Sequence, residues 1–227
     1  MLAARMIEDR MNYERLYQYR FRDVDQGTRE AVWKPIALHL WNEMGRPERV
    51  LDPAAGRGEF IANIPASERW AVDLVDYHDA SAAQGVRWLV SDIFEAELPA
   101  DHFDGVFVSN FLEHLPTQEA AAAFLERVVP LLRPGGRVAI LGPNYRYTQR
   151  RYWDYADHRL ALTHMAVAEH LYAAGLEPTK ILPKLLPYSF NGVLPPSVRM
   201  TQLYLRLPLA WRLLGKQFLV IGRRPDS

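Results

Sequence analysis

Short apolar runs alternate with turn residues and amphipathic stretches through most of the chain. "RVLD" (49–52) reads as a short buried strand, followed by a helix over Gly58 to Ile64 that Pro65 closes. "RWAVDLV" (69–75), "VRWLVSD" (86–92) and "FDGVFVSN" (103–110) read as three more strands. "TQEAAAAFLERVVPLL" (117–132) is an alanine-rich helix with Thr117 as its N-cap. A turn at "RPGG" leads into a fifth strand ending at Asn144, and "LTHMAVAEHLYAAGL" (162–176) is a helix stopped by Gly175. "EPTKILPKL" (177–185) is a sixth strand and "GKQFLVIGRR" (215–224) the last. Strands alternating with helices predict an α/β fold, a doubly wound, mostly parallel seven-stranded sheet covered on both faces.

The two ends of the chain depart from this rhythm. Residues 5–44 read as helical, with Met6, Tyr13, Leu16 and Tyr17 spaced by threes, fours and sevens, and a second run from Arg29 to Met44. Gly45-Arg46-Pro47 ends the segment. Residues 1–46 are thus expected as a helical lid on a domain spanning 47–227. The stretch 183–215 is an insertion before the last strand. Across 185–215 leucines and aromatics mix with Arg199, Arg206 and Arg212, and no acid interrupts them. Such a stretch suits a cap over a binding site, a homodimer contact or peripheral contact with a membrane.

Charge and composition narrow the functions. Lys plus Arg and Asp plus Glu number 27 each, for a formal net charge of zero, which argues against a protein that grips a nucleic-acid backbone. With no cysteine there is no disulfide, thiolate metal site or cysteine nucleophile, and no residue is assigned to a metal. The N-terminus is too charged for a secretory segment and no run of about 18 apolar residues occurs, so a cytoplasmic location is expected.

The candidate chemistry begins at "LDPAAGRGEF". In an open parallel sheet, ligands bind beyond the carboxyl ends of the strands, where glycines let the backbone approach closely. Asp73, 21 positions after Asp52, ends the second strand, at the spacing of an acid that binds ribose hydroxyls. Asp92 ends the third. With "AVDL", "VSDIF", "FDGVFVSNFLEHL" and "LLRPGGRVAI" following in order, the chain resembles the class I S-adenosylmethionine-dependent methyltransferases over about residues 48–182. That resemblance implies a Rossmann-like fold, S-adenosylmethionine as cofactor and S-adenosylhomocysteine as product. Asp52, Ala54, Gly56 and Gly58 would surround the methionine part, Asp73 and Leu74 the ribose and adenine, and Asp92 and Ile93 the adenine edge and face. Asn110 and Phe111 would line the floor near the sulfonium. Ala54 stands where the family has glycine, so a working loop requires negative φ there. A nicotinamide dehydrogenase is the rival, but the loop reads G-x-G without the further glycine of G-x-G-x-x-G.

Methyl transfer is an in-line displacement, helped at oxygen or nitrogen acceptors by a base. His114 in "FLEHLP" and His158 in "RRYWDYADHR" are the candidate bases. Each also has a structural reading, His114 as a brace of its turn and His158 as a bracket before the next helix. Asp157 beside His158 is expected to fix its tautomer. Tyr145, Trp153 and Asp157, with Tyr13 from the N-terminal helix, are candidate acceptor contacts, since aromatic faces with polar tips suit a sugar or polar ring. The expected reaction is O-methylation of a small-molecule acceptor, a sugar or natural-product intermediate. N-methylation and a non-catalytic binding module are the alternatives.

Overall fold

The computed structural model describes residues 12–20, 22, 25–76, 85–188 and 197–226. Two helices, α1 (Tyr13–Arg20) and α2 (Gln26–Glu43), precede strands β1 (Arg49–Asp52), β2 (Glu68–Asp73), β3 (Val86–Val90) and β4 (Phe103–Ser109). Then come α3 (Gln118–Val128), β5 (Leu132–Pro143), α4 (Tyr145–Thr148), α5 (His164–Ala173), β6 (Glu177–Leu182), α6 (Val198–Leu205), α7 (Pro208–Leu214) and β7 (Gln217–Arg223). The sheet runs β3-β2-β1-β4-β5-β7-β6, with β7 antiparallel to both its neighbours and every other pairing parallel. The strand order reverses between β1 and β4, which opens a crevice at the carboxyl ends of those two strands.

Period-two alternation within the strands divides the core into two layers. Leu51, Val72, Val106, Val108, Val138, Ile140 and Val220 face one side, where Phe124, Leu125, Val167 and Leu171 of α3 and α5 cover them. Val50, Ala71, Phe107, Ala139, Leu141, Leu219 and Ile221 face the other, against Val32, Trp33, Ile36, Ala37 and Leu40 of α2. Half of the expected N-terminal lid is therefore part of the core. Among the described residues of that lid, α1 alone stands beyond it; residues 5–11 of the expected helical segment lie outside the described residues.

Local signals act as expected in several places. Thr117 caps α3 by accepting from the Ala120 N–H at 3.2 Å, a contact worth about 1 kcal/mol. Gly45 and Gly175, at φ 87° and 85°, end α2 and α5. The helix expected over Gly58–Ile64 does not form. Gly58 at φ 74° points the chain out of the helical region, and only a 3-10 turn, Ile61–Asn63, follows. Phe60 turns inward instead and stacks on Phe107 of β4 at 3.8 Å between centroids. No described helix is long and apolar enough to cross a membrane.

Candidate active site

The loop after β1 is built from main-chain atoms. Its left-handed positions fall on Gly56 (φ 54°) and Gly58 (φ 74°), and Ala54 is not among the residues of positive φ. The alanine is therefore tolerated where the family has glycine, because the chain places its unusual torsions two and four residues later. Gly56 has open space where a Cβ would stand, whereas a Cβ on Gly58 would lie 2.7 Å from the Trp88 ring of β3. Asp73, at the end of β2, ties the loop down: its Oδ2 accepts from the Gly56 N–H at 2.7 Å and its Oδ1 from Val75 at 3.0 Å. From the other side Arg29 of α2 pairs with Glu59 at 2.6 Å.

Asp52 is buried below this loop, and burial pushes its carboxyl well above the usual range despite a hydrogen bond from the Ala54 backbone. Its Oδ1 is buried without a partner. An orphaned acceptor beneath the loop, open space over Gly56 and a ribose-type acid within reach of the same loop fit a ligand carrying an ammonium group and a ribose, as S-adenosylmethionine does. Asp92 follows β3 and accepts from the Phe94 N–H at 3.0 Å. Leu74 is exposed and Ile93 buried. Asn110 takes φ 49° at the end of β4, and Phe111 packs on Phe124 at 4.9 Å, so the chain turns sharply just past the strand.

The segment after β5 forms the opposite wall. Asn144, fully buried, is its root: the side-chain amide bonds the His164 Nδ1 and the Pro183 carbonyl, both at 2.9 Å. The backbone N–H groups of Arg159 and Leu160 donate to the Glu113 carbonyl at 2.8 and 3.0 Å, drawing this segment onto the turn that follows β4. The two candidate histidines are thereby brought together, with ring centroids 5.2 Å apart. Their surroundings differ. Burial between Tyr152 and Tyr155, with His114 nearby, pushes His158 down to about 4, so it stays neutral near pH 7. His114 turns its Nδ1 to Asp157, 3.1 Å from the backbone carbonyl and 3.5 Å from Oδ2.

Two expectations need correction here. Asp157 orients His114, not its neighbour His158, because the chain bends between them and faces the carboxylate toward the β4 turn. Nor does His158 bracket the next helix, since α5 begins at His164 with Thr163 as its cap. Asp157 is buried and ion-paired with Arg20 of α1, which holds its carboxyl below the usual range against the opposing effect of burial. It therefore stands behind His114. Tyr145 and Trp153 pack edge to face at 6.1 Å, and Trp153 is half exposed at the surface of this wall. Tyr13 opens α1, and its side chain lies outside the described residues. His164 is buried and bonded to the Asn144 amide.

The residues that sequence reasoning passed over are Arg20, Trp88 and the Arg29–Glu59 pair. Arg20 also lies over the Tyr155 ring at 4.6 Å, which attaches α1 to the acceptor wall. No local signal marks any of them, since each acts on a partner distant in sequence.

Comparison with known proteins gives the family. The model of the methyltransferase domain family matches residues 26–176. The ubiquinone/menaquinone biosynthesis C-methyltransferase of Azotobacter vinelandii is 29% identical over 133 residues, 52% of this chain and 51% of the relative. That of Ectopseudomonas mendocina is 31% identical over 134 residues, with 52% and 50% covered. The chain thus spans about half the length of the curated relatives it matches. Among solved structures, the 1,6-didemethyltoxoflavin-N1-methyltransferase of Burkholderia thailandensis, with its acceptor and S-adenosylhomocysteine bound, is similar at TM-score 0.60 and 25% identity, covering 94% of this chain and 89% of that one. A methyltransferase from Archaeoglobus fulgidus shares the fold at TM-score 0.65 and 22% identity, covering 94% and 100%. The family match takes in the loop through Gly56, Asp73 and the His114 turn, and the chain belongs to the methyltransferase domain family, as a class I S-adenosylmethionine-dependent methyltransferase.

Proposed function

We propose that this protein transfers the methyl group of S-adenosylmethionine to an oxygen of a small polar acceptor, a sugar or natural-product intermediate. The observation that carries the reading is the meeting of His114, His158 and Asp157 at the carboxyl end of β4 and β5, beside the cofactor loop. Displacement at a sulfonium methyl needs little beyond alignment, so polar groups concentrated on the acceptor side fit an acceptor that must lose a proton. Asp157 holds His114 by Nδ1, leaving Nε2 for the acceptor, while the half-buried, neutral His158 closes the wall behind it. Asp52, Ala54, Gly56, Gly58, Asp73, Leu74, Asp92, Ile93, Asn110 and Phe111 would bind the cofactor, and Tyr145 and Trp153 the acceptor. The strand directions put the segment between β6 and β7 at this same end of the sheet. Tyr188 donates from there to the Arg151 carbonyl at 3.2 Å, which supports a cap over the acceptor opening.

A second reading, methylation at carbon or nitrogen, draws on the names of the relatives, which are C- and N1-methyltransferases. Incubation with isotopically methyl-labelled S-adenosylmethionine and a panel of hydroxylated, amino and quinol acceptors separates them. Label in an ether is the expected product. Label only in C–methyl or N–methyl groups rejects the oxygen reading.

A further inference from the structure

We infer that Glu113, His114 and His158 form a binding site for a divalent first-row transition cation. One ligand atom from each of the three lies within 4.8 Å of the others. Two imidazole nitrogens and one carboxylate oxygen are a donor set suited to manganese, iron, cobalt or zinc, and three protein ligands leave positions open to a substrate.

Three features separate this cluster from a chance grouping. Glu113 is 3% exposed, and no Lys or Arg among the described residues forms an ion pair with it. A buried carboxylate without a cation is costly, and a bound metal ion removes that cost. His114 has the arrangement typical of a metal-bound imidazole: one ring nitrogen faces a backbone carbonyl and a carboxylate, both from Asp157, which fixes the tautomer and frees the other nitrogen. Arg20 in turn fixes Asp157. His158, finally, has a buried Nδ1 with no hydrogen-bond partner. An imidazole nitrogen shut away from water and from donors has a free lone pair.

The inference rests on the proposed reading of this site as the place of acceptor activation and specifies how the activation occurs. An acceptor hydroxyl in an open position on the cation loses its proton to water more readily. The O–CH3 bond then forms as the S–CH3 bond breaks, and the sulfonium leaves as a neutral thioether.

The test uses the full chain, stripped with chelator and titrated calorimetrically with Mn2+, Co2+ and Zn2+. The expected result is saturable binding of about one equivalent. Asp157→Asn should weaken it by about 10–100-fold, and Glu113→Gln or His158→Asn more. Circular dichroism and S-adenosylmethionine affinity confirm that each variant is folded. Should Glu113→Gln not fold, the absorption spectrum of the Co2+ wild-type protein, with its imidazole signature, carries the test. No binding of any of the three ions below millimolar concentration overturns the inference, as does binding that the folded variants leave unchanged. If metal fails to bind while His114→Ala still abolishes methyl transfer, the acceptor site stands and only the cation falls. If His114→Ala retains full turnover, the reading of the acceptor site falls whatever the metal result.

Discussion

The loop proposed to hold the cofactor and the wall proposed for the acceptor lie at one end of one sheet but are made of different material. The loop works through its main chain: two left-handed glycines, a buried Asp52 and the Gly56 N–H held by Asp73. Its main hydrogen bond, from the Gly56 N–H to Asp73, spans only 17 positions, although Arg29 and Trp88 reach the loop from farther along the chain. The proposed acceptor wall gathers its side chains from far apart. Arg20 reaches Asp157 across 137 residues, and His114 meets the Asp157 carbonyl across 43. The difference fits the division of labour in such folds, where a shared cofactor permits a fixed backbone cradle while acceptor recognition is rebuilt from variable segments. It also means that damage to either region should show in a different measured quantity.

The largest effect expected is at the wall. His114→Ala should lower turnover by about 10²–10⁴-fold while S-adenosylmethionine affinity, measured by calorimetry, stays within a factor of about two. An equal loss in both quantities would mean that the two regions do not divide the work as described.

The next effect comes from the pair of glycines. At Gly56 an alanine meets nothing within 4 Å, so Gly56→Ala bears only the left-handed backbone cost, about 1–2 kcal/mol. Gly58→Ala adds a Cβ 2.7 Å from Trp88, and overpacking brings a further ~1–3 kcal/mol. Thermal melts of the apo proteins should rank wild type above Gly56→Ala above Gly58→Ala. Combining Gly58→Ala with Trp88→Leu should recover part of the loss. Equal melting temperatures for the two alanine variants would show that Trp88 yields freely.

Asp73→Ala follows in size. It removes the acid proposed for the ribose and the acceptor of the Gly56 N–H, and losing a hydrogen bond to a charged group costs about 1.5–3 kcal/mol, or roughly 10–100-fold in cofactor affinity. Turnover at saturating cofactor should hold within a few-fold, the mirror image of His114→Ala. Unchanged affinity would place the ribose elsewhere.

The contrast between the regions also explains what could be read from the sequence. The sheet, Thr117 as a cap, Gly175 as a stop and the negative φ of Ala54 all follow from short-range rules of periodicity and backbone sterics. The failed helix after Gly58 shows the limit of those rules: seven residues of plausible helix former lost to a left-handed glycine and to Phe60, which stacks on Phe107. At the wall, His114 and His158 were legible as residue types at strand ends. Their tautomers were not, because these depend on Asp157 turning toward the β4 segment and on Arg20 arriving from α1. Asp157 adjoins His158 in sequence, and adjacency suggested the wrong partner. Trp88 gave no signal at all, since an inward tryptophan in a strand looks like any other core position.

The smallest expected effect tests whether the comparison is specific to this end of the sheet. Asp104 lies at the opposite end, near the start of β4, where it accepts from the Arg49 backbone at 2.8 Å and pairs with Arg49 and Arg133. Burial alone would raise its carboxyl, but hydrogen bonds from the two arginines outweigh burial and hold it below the usual value. A carboxylate depressed in the folded state adds stability that is fully present above its unfolded value, about 3.9, and is lost as pH falls through the folded value. Asp104→Asn should therefore lower the melting temperature slightly at pH 7, with the gap to wild type closing as the pH drops below about 4. Cofactor affinity and turnover should both be unchanged. A gap that persists undiminished in acid would show that the contact with the Arg49 backbone, rather than the charge of Asp104, stabilises this end of the sheet.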